Sequence, residues 1–283
     1  MLDVLHALGG VALILFGVRF LRKGLDKAIR PRLPLWVTRL TGGPVRTAAT
    51  GVGVGLLAPS SSSQGVLAVS LVRDGVIDLK RAVVLLAGAY LGATLLLHVV
   101  AFDVAHQAPL GILLGVVLFQ GFSASSVRGV GQLLIAVSFI LLGVDFVGVL
   151  GETFGGSADA QTLVGILVEY PWIAAAAAAL VAAGVQSSTA TLAVFVGIAL
   201  RDGDLVSHRL IVEVIVGANV GVTALAVASS WADIEARRFM LATVVCRAAV
   251  GALAIAMLDR VAALLAGSPG TLAQQAAIAH SAF

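Results

Sequence analysis

What most limits the fold of this chain is a succession of apolar runs thinly interrupted by charge. They fall roughly at 4–22, 47–58, 65–73, 82–102, 109–122, 129–150, 162–185, 188–200, 209–231 and 239–265, and a last run begins near 271. A membrane-crossing helix needs about 20 apolar residues. Some runs reach that length and others stop short of it. Of the 283 residues 59% are hydrophobic and only 12% charged, against about 25% charged in a soluble domain. Too few charged side chains remain to cover a surface facing water. An ordinary cytosolic enzyme, a disordered chain and a nucleic-acid binder are thereby excluded. One cysteine, Cys246, leaves no disulfide framework and no cysteine zinc site. The 32 glycines suit membrane helices that pack closely or break. The expected fold class is all-α: a polytopic membrane protein forming a single transmembrane domain over 1–283, set in the cell membrane.

Charge orients the chain. Eight of the 18 basic residues, Arg19, Arg22, Lys23, Lys27, Arg30, Arg32, Arg39 and Arg46, lie between positions 19 and 46, with Asp26 the one acid among them. Basic loops stay cytoplasmic, so the first helix is expected to enter from outside. Leu5 to Phe20 is not a secretory signal, because its charges follow the apolar run. The connectors at 23–46, 73–81, 103–107, 123–128, 151–161, 201–208 and 232–238 are too short for a soluble domain. Trp36, Trp172 and Trp231 sit at expected span ends, as interface anchors do.

Two of the short runs flank Pro59-Ser60-Ser61-Ser62-Ser63-Gln64, and another two flank Gln186-Ser187-Ser188-Thr189. Non-helical backbone at membrane depth is tolerated only inside protein or beside a water-filled cavity. These pairs therefore read as broken helices or re-entrant hairpins aimed at a buried polar site. They also belong to an internal repeat. Ser60 and Ser187 are 127 residues apart, Asp74 and Asp202 (each in Arg-Asp-Gly) 128, and Gly88 and Gly217 (opening Gly-Ala-x-x-Gly-x-Thr) 129. Paired breaks in two halves point to a transporter site. A half-helix that starts inside the membrane presents free N–H groups and a positive dipole end, and serine or threonine suits its cap. That makes an anion cradle. The Gly-Ala-x-x-Gly-x-Thr helices read equally as small-residue packing.

These residues resemble the type II sodium–phosphate cotransporter family. The resemblance rests on Gln-Ser-Ser-Thr followed by Gly-Ala-Asn-x-Gly-x-Thr, and on the duplication. The opening Gly9-Gly10-Val11-Ala12-Leu13-Ile14-Leu15-Phe16-Gly17-Val18-Arg19-Phe20 is similar to that family's first helix. The resemblance implies two inverted repeats around a central site, with inorganic phosphate carried together with sodium. Residues 1–150 would hold the first helix, first repeat and connecting helices, and 151–283 the second repeat and C-terminal helices. Gln186, Ser187, Ser188, Thr189, Asn219 and Thr223 match the second motif; Ser60, Ser61 and Ser62 match the first. Pro59 stands where the family has glutamine, Tyr90 where it has asparagine, and Cys246-Arg247 where it usually carries Phe-Asn. The expectation is a divergent, bacterial-like member without the family's C-terminal regulatory domain.

The expected anion ligands are Ser60, Ser61, Ser62, Ser187, Ser188, Thr189 and Arg247. The expected sodium ligands are Gln186, Ser188, Asn219, Thr223 and Thr94. Arg247 has a second reading, as a structural bridge to Glu213 or Asp145. Glu213, one turn before Gly217, reads as a proton or sodium site or as an interfacial partner of Arg209. Asp145 reads as a solvated helix end. His98 and His280 stand alone and read as packing residues. No catalytic constellation appears, so the chain is expected not to be an enzyme, to need no cofactor beyond sodium as coupling ion, and to have phosphate, sodium and the lipid bilayer as partners. A homo-oligomer stays open. The rival readings are the same fold moving another small anion or coupled to protons, and a non-transporting membrane sensor that binds phosphate.

Overall fold

The computed structural model describes residues 2–29, 42–57, 61–102, 104–154, 158–201, 206–229 and 231–283. Every regular element among them is helical: α1 (Leu2–Ile29), α2 (Pro44–Leu57), α3 (Ser61–Arg73), α4 (Leu79–Ala101), a 3-10 turn at Ala105–Gln107, α5 (Ala108–Gly121), α6 (Ser125–Phe154), α7 (Ala158–Glu169), α8 (Pro171–Val185), α9 (Ser188–Arg201), α10 (His208–Ser229), α11 (Ile234–Ala256), α12 (Leu258–Ala266) and α13 (Leu272–Ala282). Among the described residues four stretches are long and apolar enough to cross a membrane: Leu79–Ala101, Ser125–Val149, His208–Ala228 and Ile234–Ala256. Leu241, Val245, Val250 and Leu253 of α11 and Leu110, Leu113 and Val117 of α5 are exposed, as helices with lipid for a neighbour require.

Hydropathy alone does not decide which helix is central. α10 and α11 have nearly equal mean hydropathy, 2.2 and 2.1, yet 83% of the α10 window is buried against 17% of the α11 window. Small residues make the difference. A Cβ added to Gly217 or Gly221 of α10 would run into the backbone oxygens of Ala175 and Ala179 on α8, and one added to Gly88 or Gly92 of α4 would meet those of Ala48 and Val52 on α2. The Gly-Ala-x-x-Gly-x-Thr glycines therefore serve close helix packing in both copies.

The repeat is visible in the packing. α2 lies on α4 as α8 lies on α10, and α3 touches α4 as α9 touches α10. The short helices are then exchanged: α3 also packs on α10 and α9 on α4. The two copies thus meet through α3 and α9. The salt bridge from Arg73 at the end of α3 to Asp233, 2.9 Å, adds a tie to the start of α11.

Several expected boundaries shift. The 162–185 run is two helices, because Pro171 offers no N–H and biases Tyr170 away from helix. The 239–265 run divides at Met257. α1 continues through the first basic residues to Ile29, while Arg30, Arg32, Trp36 and Arg39 lie outside the described residues. α6 continues to Phe154, so Asp145 is half-buried inside a helix and not at its end.

Candidate functional site

The second break occupies two residues. Gln186 turns left-handed at φ 60°, the single positive φ outside glycine among the described residues. The Ser187 N–H then donates back to the Ala182 carbonyl at 3.2 Å, closing α8. Ser187 Oγ accepts the Ala190 N–H at 3.1 Å and so caps α9. Ser187 is spent as a cap. Ser188 and Thr189, in the first turn, line a cavity of about 240 Å³. Drug-sized ligands occupy about 300–1,000 Å³, so this space suits a small ion.

Four other helices complete the wall: α4 through Tyr90 and Thr94, α10 through Asn219, α11 through Arg247, and α13 through His280 and Ser281. Arg247 organises it. Its Nη1 donates to Thr223 Oγ1 at 2.9 Å, to Asn219 Oδ1 at 3.4 Å and to the Asn219 carbonyl at 3.5 Å. Its guanidinium carbon stands 4.1 Å from the centre of the Tyr90 ring, within cation–π range. Asn219 is fixed in turn, its Nδ2 donating to the Ile215 carbonyl at 2.8 Å and to His280 Nδ1 at 3.2 Å. Thr94 and Ser281 hydroxyls lie 2.7 Å apart, and His98 Nε2 lies 2.9 Å from Ser281. Among the described residues no Asp or Glu side chain lines the cavity. The one charged side chain among the described residues of the wall is Arg247, next to the positive end of α9. Such a wall attracts an anion.

Of the expected ligands, the structure thus brings together Ser188, Thr189, Thr94, Asn219 and Arg247, with Thr223 directly behind Arg247. Gln186 is exposed at the turn and does not line the cavity. Ser60 lies outside the described residues; Ser61 and Ser62 open α3, but their side chains lie outside them too. Arg247 engages the Asn219 and Thr223 oxygens on which the sodium expectation leaned. It does not meet Glu213, whose two oxygens are buried without a hydrogen-bond partner. The α13 contributors, His280 and Ser281, are not among the ligands expected from sequence. One signal was available. Tyr90 and Arg247, two departures from the family pattern, are the two residues that stack on each other. No group of three or more His, Cys, Asp or Glu side chains that could hold a metal occurs among the described residues.

Residues 13–148 match the family described as Na+/Pi-cotransporter. Over 242 residues the chain is 28% identical to the protein named "Putative inorganic phosphate export protein YjbB" of Salmonella typhimurium, and equally to those of Escherichia coli K12 and Shigella flexneri. Each match covers 85% of this chain and 44% of the relative, so the chain spans less than half the length of these curated relatives. No solved structure matches at a significant level. The resemblance read from the sequence is supported over residues 13–148, which match a family of transporters and not of enzymes.

Proposed function

We propose that the chain moves inorganic phosphate across a membrane by alternating access, with the cavity between the two repeats as the anion site. One observation carries this reading: Arg247 lines a small cavity with no Asp or Glu side chain among the described residues, beside the first turn of α9. Guanidinium geometry matches a tetrahedral oxyanion through two parallel N–H bonds. Among the described residues all its hydrogen bonds leave from Nη1, which keeps the rest of the fork for a ligand. Ser188 and Thr189 would add hydroxyl and N–H donors. The first-repeat serines Ser60, Ser61 and Ser62 would supply the opposing half of the cradle.

In this reading the repeats are inverted, and the exchanged packing of α3 on α10 and α9 on α4 is the surface along which they rock. Sodium is the coupling cation; its support is the family description. Its ligands would centre on Gln186, Ser188, Thr94 and carbonyls freed at the breaks, since Arg247 holds Asn219 and Thr223. The printed name of the relatives favours export as the direction.

The test is flux of radiolabelled phosphate in proteoliposomes of purified protein, with and without a sodium gradient. Phosphate flux that falls on Ser188→Ala and Arg247→Gln supports the reading. Phosphate binding without any flux contradicts it and favours a sensor. Flux indifferent to sodium removes sodium from it.

A further inference from the structure

We infer that Glu213 is a membrane-embedded protonation site, and that Arg209 switches between Asp259 and the Glu213 carboxylate as the proton leaves. The inference rests on the transport reading above and adds a second, proton-linked site to it. Glu213 is 0% exposed, and among the described residues neither carboxyl oxygen has a hydrogen-bond partner. An ionised carboxylate without water or partners is prohibitively unstable in such a place. A protonated one is tolerable, so this conformation holds the proton. Glu213 lies outside the anion cavity. Yet it shares α10 with Asn219, six residues or about 9 Å away along the axis.

The neighbouring charges supply the switch. Arg209 is one turn earlier on α10, at the i, i+4 spacing that lets two helical side chains meet. Its Nη1 pairs with Asp259 at 2.9 Å, and its Nε is buried without a partner. The Asp259 side chain is 81% exposed, so this pair is weak and readily broken. α12 also brings Arg260, at the edge of the same cleft beside Pro171 and Arg209. Of the other elements packed on α10, α8 carries no titratable side chain, α9 carries Arg201 at its last residue, its side chain outside the described residues, and α11 carries Glu235, Arg237 and Arg238 in its first turns. α11 brings Arg247, held at Asn219 and Thr223; α13 brings His280, bonded to Asn219; α3 brings Arg73, paired with Asp233; α7 brings Glu169, which is exposed. Among the described residues Arg209 is therefore the cation within reach. When the α10–α12 cleft admits water, the Glu213 proton passes to it and Arg209 turns from Asp259 to the new carboxylate. Reprotonation from water reverses both steps, and one proton is bound or released each time.

The experiment uses proteoliposomes with equal sodium on both sides. Phosphate–phosphate exchange at constant pH reads the transport machinery alone. Net phosphate accumulation under an imposed pH gradient reads proton linkage. Wild type is expected to exchange phosphate and to show an accumulation ratio shifted by up to about tenfold per pH unit for one proton per cycle. Glu213→Gln, which imitates the protonated carboxyl, is expected to exchange phosphate but to lose the gradient response. Substrate ionisation is common to both proteins and cancels. Asp259→Asn, which frees Arg209, is expected to make Glu213 lose its proton at lower pH. Infrared titration of the protonated-carboxyl band in detergent gives a readout independent of flux: a band present in wild type and missing in Glu213→Gln. A gradient response that survives in Glu213→Gln, or the absence of that band from wild type, overturns the inference. Failure of exchange in wild type with the band present overturns the transport reading and leaves the protonation site standing.

Discussion

Ser187 and Ser188 are adjacent, alike in chemistry and matched to the same motif, yet the structure gives them separable tasks. Ser187→Ala removes the cap acceptor of α9 and strands the Ala190 N–H, which Ser187 Oγ meets at 3.1 Å. Loss of such a cap costs about 1–2 kcal/mol. Ser187 is only 5% exposed, so water cannot replace it and the upper end, about 2 kcal/mol, applies. For a chain of this size that is roughly 5 °C in melting temperature. Ser188 caps nothing; its side chain faces the cavity. Ser188→Ala should change stability by less than about 0.5 kcal/mol but remove a donor to a charged ligand. Such a bond contributes about 1.5–3 kcal/mol, a loss in phosphate affinity on the order of 10- to 100-fold. Thermal unfolding and equilibrium phosphate binding of purified protein in detergent separate the two. Ser187→Thr, which can still cap, should recover the melting temperature. A Ser187→Ala protein as stable as wild type, or a Ser188→Ala protein that is destabilised and binds normally, would refute the assignment.

Other predictions follow from the same geometry. Gly221→Ala should destabilise by about 1–3 kcal/mol, because the new Cβ strikes the Ala179 carbonyl. Gly53→Ala, where a Cβ meets nothing within 4 Å, should stabilise by about 0.5–1 kcal/mol; chemical denaturation of both variants checks this pair. Tyr90→Phe removes a hydroxyl that is buried without a partner and keeps the ring under Arg247. It should unfold at or above the wild-type temperature, whereas Tyr90→Ala should lose the stacking, about 0.5–2 kcal/mol. Arg247→Lys keeps the charge but loses the fork, so isothermal titration should show phosphate affinity reduced about tenfold or more. Asp233 caps α11 by accepting the Ala236 N–H, which holds its carboxyl below the usual aspartate range; Arg73 lowers it further. A lowered folded value means the contribution is complete at neutral pH and is lost as the pH falls through that value, below about 4. The wild-type advantage over Asp233→Ala in melting temperature should therefore vanish in acid and stay level between pH 5 and 7.

Much of the fold was legible because its signals are local. The second serine break and the apolar runs are each carried by neighbouring residues. Pro171 was legible too, but a continuous apolar composition hid the break at Tyr170. What the sequence could not convey is which faces meet. α10 and α11 are equally apolar, and only the match of Gly217 and Gly221 to alanines on α8 makes α10 central. The same holds at the site. Ser188, Thr189 and Asn219 were found because they sit in a motif. His280 and Ser281 reach the cavity from the far end of the chain, where α13 is tied down by Gln275 bonds to His208 and to the Ser268 carbonyl. Arg247 left two readings open in sequence. Its actual partners, Tyr90, Asn219 and Thr223, come from two other helices whose spacing from Arg247 carries no period.

The central claim is that one cavity between the repeats holds the anion and faces the two sides of the membrane in turn. The most direct measurement is modification of Ser188→Cys by a membrane-impermeant thiol reagent, after Cys246, which is exposed, has been replaced by alanine. The account predicts that the new thiol is reached from both sides and that millimolar phosphate, but not chloride, shields it from each. Labelling that phosphate leaves unchanged, or that occurs from one side only under every condition, would contradict it.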